Sequence, residues 1–168
     1  YTAGSDNALL VYDVSDPAHP ASRAEIGSSY TGYGIAVSGN YAFVAVDDAG
    51  LAIYDISDPT NPVYETTANT SGYAYDVAIA GQYAYVADRG PGLQVIDISD
   101  PSAPEVIATC GTDSGADGVA ISGSYAYVAD FDGGMNAIAI SDPAAPFYVT
   151  PCAPNADARD VAGSCSLA

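Results

Sequence analysis

Tyr125–Asp130 reads YAYVAD, large and small residues in turn, the period-2 signature of a strand whose two faces meet different neighbours. Just before it, Gly118–Gly123 (GVAISG) is a short apolar strand closed by a Ser-Gly turn. Gly92–Asp100 (GLQVIDISD) is almost continuously apolar and is stopped by Asp-Pro, because proline brings no N–H to a ladder. Pro104–Cys110 (PEVIATC) is a fourth, looser strand. No segment shows the helical period of 3.6. The chain therefore predicts four short strand types, a to d in chain order, joined by loops of a few residues.

These strands recur. Ser-Asp-Pro stands at 15–17, 57–59, 99–101 and 141–143, and a second proline follows at Pro20, Pro62, Pro104 and Pro146. The runs beginning at Tyr41, Tyr83 and Tyr125 keep the same 42-residue step, with no insertion or deletion. Four strands in about 40–45 residues is the blade of a β-propeller. The expected fold is all-β: a single region, 1–168, of four 42-residue, four-stranded antiparallel blades, with periods near 1–42, 43–84, 85–126 and 127–168. In strand b, Tyr83, Tyr85 and Ala87 share one face and Ala84 and Val86 the other. A bulky face can then pack on the small face of the next blade. A β-solenoid is the rival, but its parallel coils suit turns of two to five residues less well.

The stretches LLVYDVSDPAHP, LAIYDISDPTNP and LQVIDISDPSAP, with their YxYVAD-like neighbours, resemble the LVIVD-repeat family of β-propellers across the whole chain. The fourth copy, MNAIAISDPAAP, has Ala139 where the others have Asp13, Asp55 and Asp97. The resemblance implies a secreted or cell-surface propeller of bacteria or archaea and no settled activity.

Charge narrows the partners. Lysine is absent, the cations are Arg23, Arg89 and Arg159, and 21 acids bring the formal charge to −18. Such a surface repels phosphate backbones and anionic lipid and concentrates cations, which argues against nucleic acid as a partner. No apolar run approaches the roughly 20 residues of a membrane span, so no membrane insertion is expected. With 49% hydrophobic residues and 14 tyrosines, the composition favours a folded chain over a disordered one.

In an up-and-down blade the a–b and c–d turns lie at one end and the b–c and d–a loops at the other. The first set is nearly uniform, and Asp16, Asp58, Asp100 and Asp142 are expected to make Asx turns ahead of proline. The second set varies and is acidic: GSDNA (4–8), VDDAG (46–50), DRGPG (88–92) and DFDGG (130–134), with Asp76, Asp113, Asp117, Asp157 and Asp160 nearby. Asp130-x-Asp132-Gly133 resembles the opening of a calcium loop, so Asp88, Asp130 and Asp132 are the candidate metal ligands and Ca2+ the candidate cofactor; plain turn formation is the competing reading. Catalysis has little footing. The single histidine, His19, fills a turn position held by Asn61, Ala103 and Ala145 elsewhere, and Asp76, Asp117 and Asp160 are the carboxylates expected nearest the channel. Cys110 and Cys152 are repeat equivalents on the outer strand and Cys165 lies far along strand a, so an odd thiol remains. Asn69-Thr70-Ser71 is an N-glycosylation sequon on a d–a loop.

The ends are offset against the repeat. Aligned with SGSYAYVAD, Leu167 falls at the Tyr125 position and Tyr1 at the Tyr127 position, inside one strand b. Arg159–Ser164 (RDVAGS) reads as a strand a without its blade. Arg159, Asp160, Val161, Ala162, Leu167 and Tyr1 are therefore the candidate assembly residues, for a closed ring, a dimeric eight-bladed ring, a head-to-tail polymer or a longer array. The functional expectation is a non-catalytic extracellular structural or adhesion module that joins further copies or blades and contacts a protein or polysaccharide surface. The alternative is a ligand- or metal-binding propeller, with hydrolysis open to it, using the acidic loop face.

Overall fold

The computed structural model describes residues 1–4, 7–27, 29–152 and 157–162, with the backbone alone at 7, 8 and 150–152. All described elements are strands. β1 (Asn7–Asp13) and β2 (Ala21–Gly27) form a two-stranded sheet. Three four-stranded antiparallel meanders follow: β3 (Ile35–Ser38) to β6 (Val63–Ala68) through β4 (Tyr41–Val46) and β5 (Gly50–Asp55); β7 (Tyr73–Ala80) to β10 (Glu105–Cys110) through β8 (Tyr83–Arg89) and β9 (Gly92–Asp97); and β11 (Gly118–Ser122) to β14 (Phe147–Cys152) through β12 (Tyr125–Ala129) and β13 (Met135–Ala139). Each meander is one repeat in the order a, b, c, d. The first strands touch one another from sheet to sheet, β3 on β7 and β7 on β11, so the blades stand side by side in a propeller-like row.

Two expectations need refining. Among the described residues the first sheet holds strands c and d, and Thr2 bridges Leu10 at the place of strand b, matching the Val128–Asn136 pair of the last blade. Strand c ends at Asp97 and not at Asp100, because Ile98 N–H leaves the ladder to donate to Gln82 O at 2.9 Å. The same exit repeats as Ile56 to Asn40 (2.7 Å) and Ile140 to Ser124 (2.9 Å). Every c–d pair also carries a register shift at one repeat position, passing over Arg23, Glu65, Ile107 and Val149.

The alternation in strand b sets the packing. Phe43 and Ala45 from one face of β4 meet Ala84 and Val86 of β8 in one core cluster, and Tyr85 and Ala87 of β8 meet Ala126 and Val128 of β12 in the next. Leu9 and Val11 meet Ala42 and Val44 in the third. A large side chain on one blade thus fills the room left by small ones on its neighbour, as close packing demands. Phe43 and Tyr85 are fully buried, and truncating either would cost about 3–5 kcal/mol by cavity formation.

The turns at the uniform end behave as expected. Asp16, Asp58, Asp100 and Asp142 accept from the N–H two residues on, Ala18, Thr60, Ser102 and Ala144, at 2.9–3.1 Å. Asp13, Asp55 and Asp97 hook Ser15, Ser57 and Ser99 in the same way at 2.7–2.9 Å. The ion pair with Arg23 holds the Asp13 carboxyl well below the usual carboxylate range.

Candidate functional site

The b–c and d–a loops meet at the end opposite those turns. Asp130, the last residue of the YAYVAD run, is fully buried and turns its carboxylate back into the d–a loop. Oδ1 accepts from Gly115 N (2.6 Å) and Ser114 N (3.2 Å), and Oδ2 from Asp113 N and Asn136 Nδ2, both at 2.9 Å. Tyr148 OH donates to Asn136 Oδ1 at 2.7 Å and fixes the amide. These donors fill the lone pairs of the carboxylate, so Asp130 staples a loop to the blade that loop enters.

Asp88, its equivalent one blade earlier, is equally buried but less well served. Gly72 N donates to its Oδ2 at 3.2 Å, while Oδ1 and the adjacent Thr70 Oγ1 have no full hydrogen bond. Burial raises the Asp88 pKa above the ordinary carboxylate value, against the partial help of Thr70, Gly72 and Gln94. Gln94 is itself committed, donating to Ser71 Oγ (3.2 Å) and accepting from Thr109 Oγ1 (2.8 Å). Asp132 is exposed. The three candidate calcium ligands are thus not brought together, and among the described residues no group of three or more His, Cys, Asp or Glu side chains converges on one point.

Nearer the inner strands, side chains 42 positions apart form one continuous row. Tyr33 stacks on Tyr75 with ring centroids 4.6 Å apart. The Arg89 guanidinium lies 4.3 Å from the Tyr75 ring centroid and grips Asp117 through Nε (2.9 Å) and Nη2 (2.6 and 2.7 Å). Phe131 follows, with Arg159 4.9 Å from its ring centroid. Tyr33, Tyr75, Asp117 and Arg159 are equivalents at the start of strand a, and Asp47, Arg89 and Phe131 are equivalents in the b–c loop. A bidentate pair flanked by aromatic faces suits arginine and not lysine. The Asp117 hydrogen bonds raise the Arg89 pKa further, so this cation stays charged.

Backbone geometry sets this row. Asp47 and Phe131 take positive φ of 49° and 31°, aiming their carbonyls at Ala74 N and Ala158 N, both 2.9 Å away. Gly34 lets the next inner strand pass, since a Cβ there would collide with the Asp76 backbone. Asp76 Oδ2 accepts from Val119 N at 2.9 Å. Burial pushes its pKa up, aided by the charge of Asp160. Of the three channel carboxylates foreseen, Asp117 is therefore tied to Arg89, Asp76 to the next inner strand, and Asp160 to Val161 N at 2.7 Å.

The other candidates fall elsewhere. His19 is exposed in its turn, 2.9 Å from Asp16 Oδ2. Cys110 carries a free thiol buried between the third and fourth blades, which raises its pKa. The Cys152 side chain, Cys165 and Leu167 lie outside the described residues. Tyr1 and Asn69 are exposed. Arg159, Asp160, Val161 and Ala162 belong to none of the described sheets, while Ala158 bridges Phe131 as Ala74 bridges Asp47. Tyr33, Tyr75, Arg89 and Phe131 are the residues that strand-by-strand reading misses; comparing positions 33, 75, 117 and 159 across the repeat would have exposed the row.

Stacked antiparallel sheets with their inner strands in contact define a propeller-like repeat protein. The model of the LVIVD repeat matches residues 1–27, 32–70, 71–112 and 114–153, and the chain belongs to the LVIVD-repeat family. Among solved structures it is similar to the computationally designed Ika4 protein, with a TM-score of 0.66 and 11% identity over 82% of each chain. It is also similar to the computationally designed Ika8 protein, with a TM-score of 0.67 and 11% identity over 86% of this chain and 44% of that one. At such identity the likeness is one of fold. No curated protein matches the chain.

Proposed function

We propose that this protein is a non-catalytic structural or adhesion module working outside the cell, which joins further blades or copies and meets its partner through the b–c and d–a loop face. The carrying observation is the contrast between the two ends. The Ser-Asp-Pro turns repeat almost unchanged, whereas positions 33, 75, 117 and 159 vary from blade to blade yet join in one aromatic and guanidinium row. A rigid frame carrying one variable face is how binding surfaces are commonly built. Assembly is supported by Arg159–Ala162, which sit on the fourth blade at the place of an inner strand, outside any described sheet. The formal charge of −18 suits a medium whose ions screen it.

Sedimentation over a wide concentration range tests this. The chain is expected to self-associate, and Val161→Pro, which removes an N–H and fixes φ in that segment, is expected to shift it towards the monomer. A chain that stays monomeric throughout and is not retained by any polysaccharide or protein surface would overturn the proposal. The second reading, a bound Ca2+, has one observation in its favour, the unpartnered Oδ1 of Asp88 beside Thr70 Oγ1. A rise in melting temperature with Ca2+ that Asp88→Asn abolishes would establish it, and an unchanged melt would end it.

A further inference from the structure

The gap between the first two blades differs from the other two gaps at the same repeat positions. Where the third and fourth blades carry Asp88 and Asp130, the second has Val46; where they carry Gln94 and Asn136, it has Ala52. The carboxylate and amide that tie the other loops thus have no counterpart at positions 46 and 52. Tyr54 replaces Ile96 and Ile138 and lies buried, its phenol pushed up to about 12 by desolvation and so held neutral.

The room left is a cavity of about 390 Å3, within the range of small-ligand sites. Val46 and Ala52 line its apolar part and Tyr30, Tyr54 and Tyr64 supply aromatic walls. Tyr54 and Tyr64 stand edge to face, centroids 5.7 Å apart at 67°, and Tyr64 OH lies 2.9 Å from Thr67 Oγ1. A second cavity of about 290 Å3 continues outward past Tyr30 and Tyr64 to Asp48 and Asn69. No arginine lines either space. The face of an aromatic ring carries a negative quadrupole that attracts a cation; Tyr30 and Tyr64 are the exposed rings of this cleft, and Asp48 places a carboxylate at its mouth.

From this geometry we infer that the cleft between the first and second blades is a binding site for an organic ammonium ion of the trimethylammonium class. Its methyl groups would contact the tyrosine faces and Val46, and its positive charge would answer the rings and Asp48. Charge complementarity selects this occupant over a neutral one, because the chain has 21 acids and only three arginines. The site lies at the blade rim, away from the Tyr33–Arg89 row, and is independent of the proposed assembly.

The test is a proton NMR titration of the whole chain with choline, against 3,3-dimethylbutan-1-ol, its neutral isostere. Choline N-methyl protons are expected to move upfield in the ring currents, with the neutral isostere bound at least about tenfold more weakly, as a cation–π share of the affinity requires. Tyr64→Ala should abolish the shift, Tyr64→Phe should keep it, and Asp48→Asn should weaken binding several-fold, most at low salt. Tyr148→Phe, at the equivalent rim two blades on, should leave the choline shift as it is in the native chain. An unchanged melting curve for Tyr64→Ala ties its loss to the site, and Tyr30→Ala provides a second exposed wall should Tyr64→Ala fail to fold. Equal binding of the neutral isostere, a preference for a monosaccharide such as glucose, or no choline shift with the native chain would overturn the inference.

Discussion

The Asp130 and Val46 corners occupy one repeat position in two blades and do opposite things. At Asp130 a buried carboxylate collects three loop N–H groups and an amide. At Val46 the acid is gone, the amide partner has become Ala52, and an aromatic cleft opens. Asp88 stands between them, buried like Asp130 but with one oxygen unpartnered. The series teaches that these repeats conserve the blade while exchanging what fills the corner where loop meets strand. A filled corner makes frame, and an emptied one makes a site.

The largest effect is expected at the filled corner. Asp130→Ala leaves several buried donors without an acceptor, and charge-assisted hydrogen bonds contribute about 1.5–3 kcal/mol each with strong non-additivity. A loss of about 3–4 kcal/mol, read by chemical denaturation, is the expected outcome; a loss under 1 kcal/mol would erase the contrast drawn above. Asp88→Asn should be far milder, within about 1 kcal/mol of the native protein at neutral pH, because it removes a desolvated charge with few partners.

The pH dependence sharpens the same comparison. Asp88 and Asp76 have raised pKa values through burial, so the native state holds their protons more tightly than the unfolded chain. Their contribution is present below the ordinary Asp value of about 3.9 and is lost as pH rises through their raised values. Asp13 has a lowered value chiefly through Arg23, and Asp16, Asp55, Asp58, Asp97 and Asp100 have lowered values through hydrogen bonds within their turns. Their contribution is present above about 3.9 and is lost as pH falls through the lowered values. Calorimetry from pH 7 downward should therefore find the melting temperature rising and then falling. Combining Asp76→Asn with Asp88→Asn should flatten the rise and spare the fall. The smallest effect belongs to His19→Ala, which removes an exposed contact in one turn of four and should leave the melting curve where it was.

Much of the frame was legible before any coordinates. Period-2 alternation in YAYVAD placed Tyr85 and Val86 on opposite faces, and burial of both between different neighbours follows from it. Asp-Pro marked each c–d turn because proline cannot extend a ladder and the aspartate caps the turn locally. The site was less legible for a physical reason. Asp88, Asp130 and Asp132 look alike in sequence, and their chemistry depends on which N–H groups face them: four donors, one, or solvent. Tyr33, Tyr75, Arg89 and Phe131 are drawn from three blades, Tyr75 and Arg89 sharing one, and show no local motif, since their contacts run between residues 14 to 42 positions apart.

The sequence alone determined the strand order, the 42-residue repeat and the face each strand b side chain takes, because those depend on local patterning and turn chemistry. Tertiary structure decided which acidic side chain is a staple, which is buried with an oxygen unpartnered and which is exposed, and it joined scattered aromatics into one row. It also decided that Val46 and Ala52 leave a space instead of closing one. Whether a corner is full depends on what the adjacent blade presents across the gap, and that is set only when the blades stack.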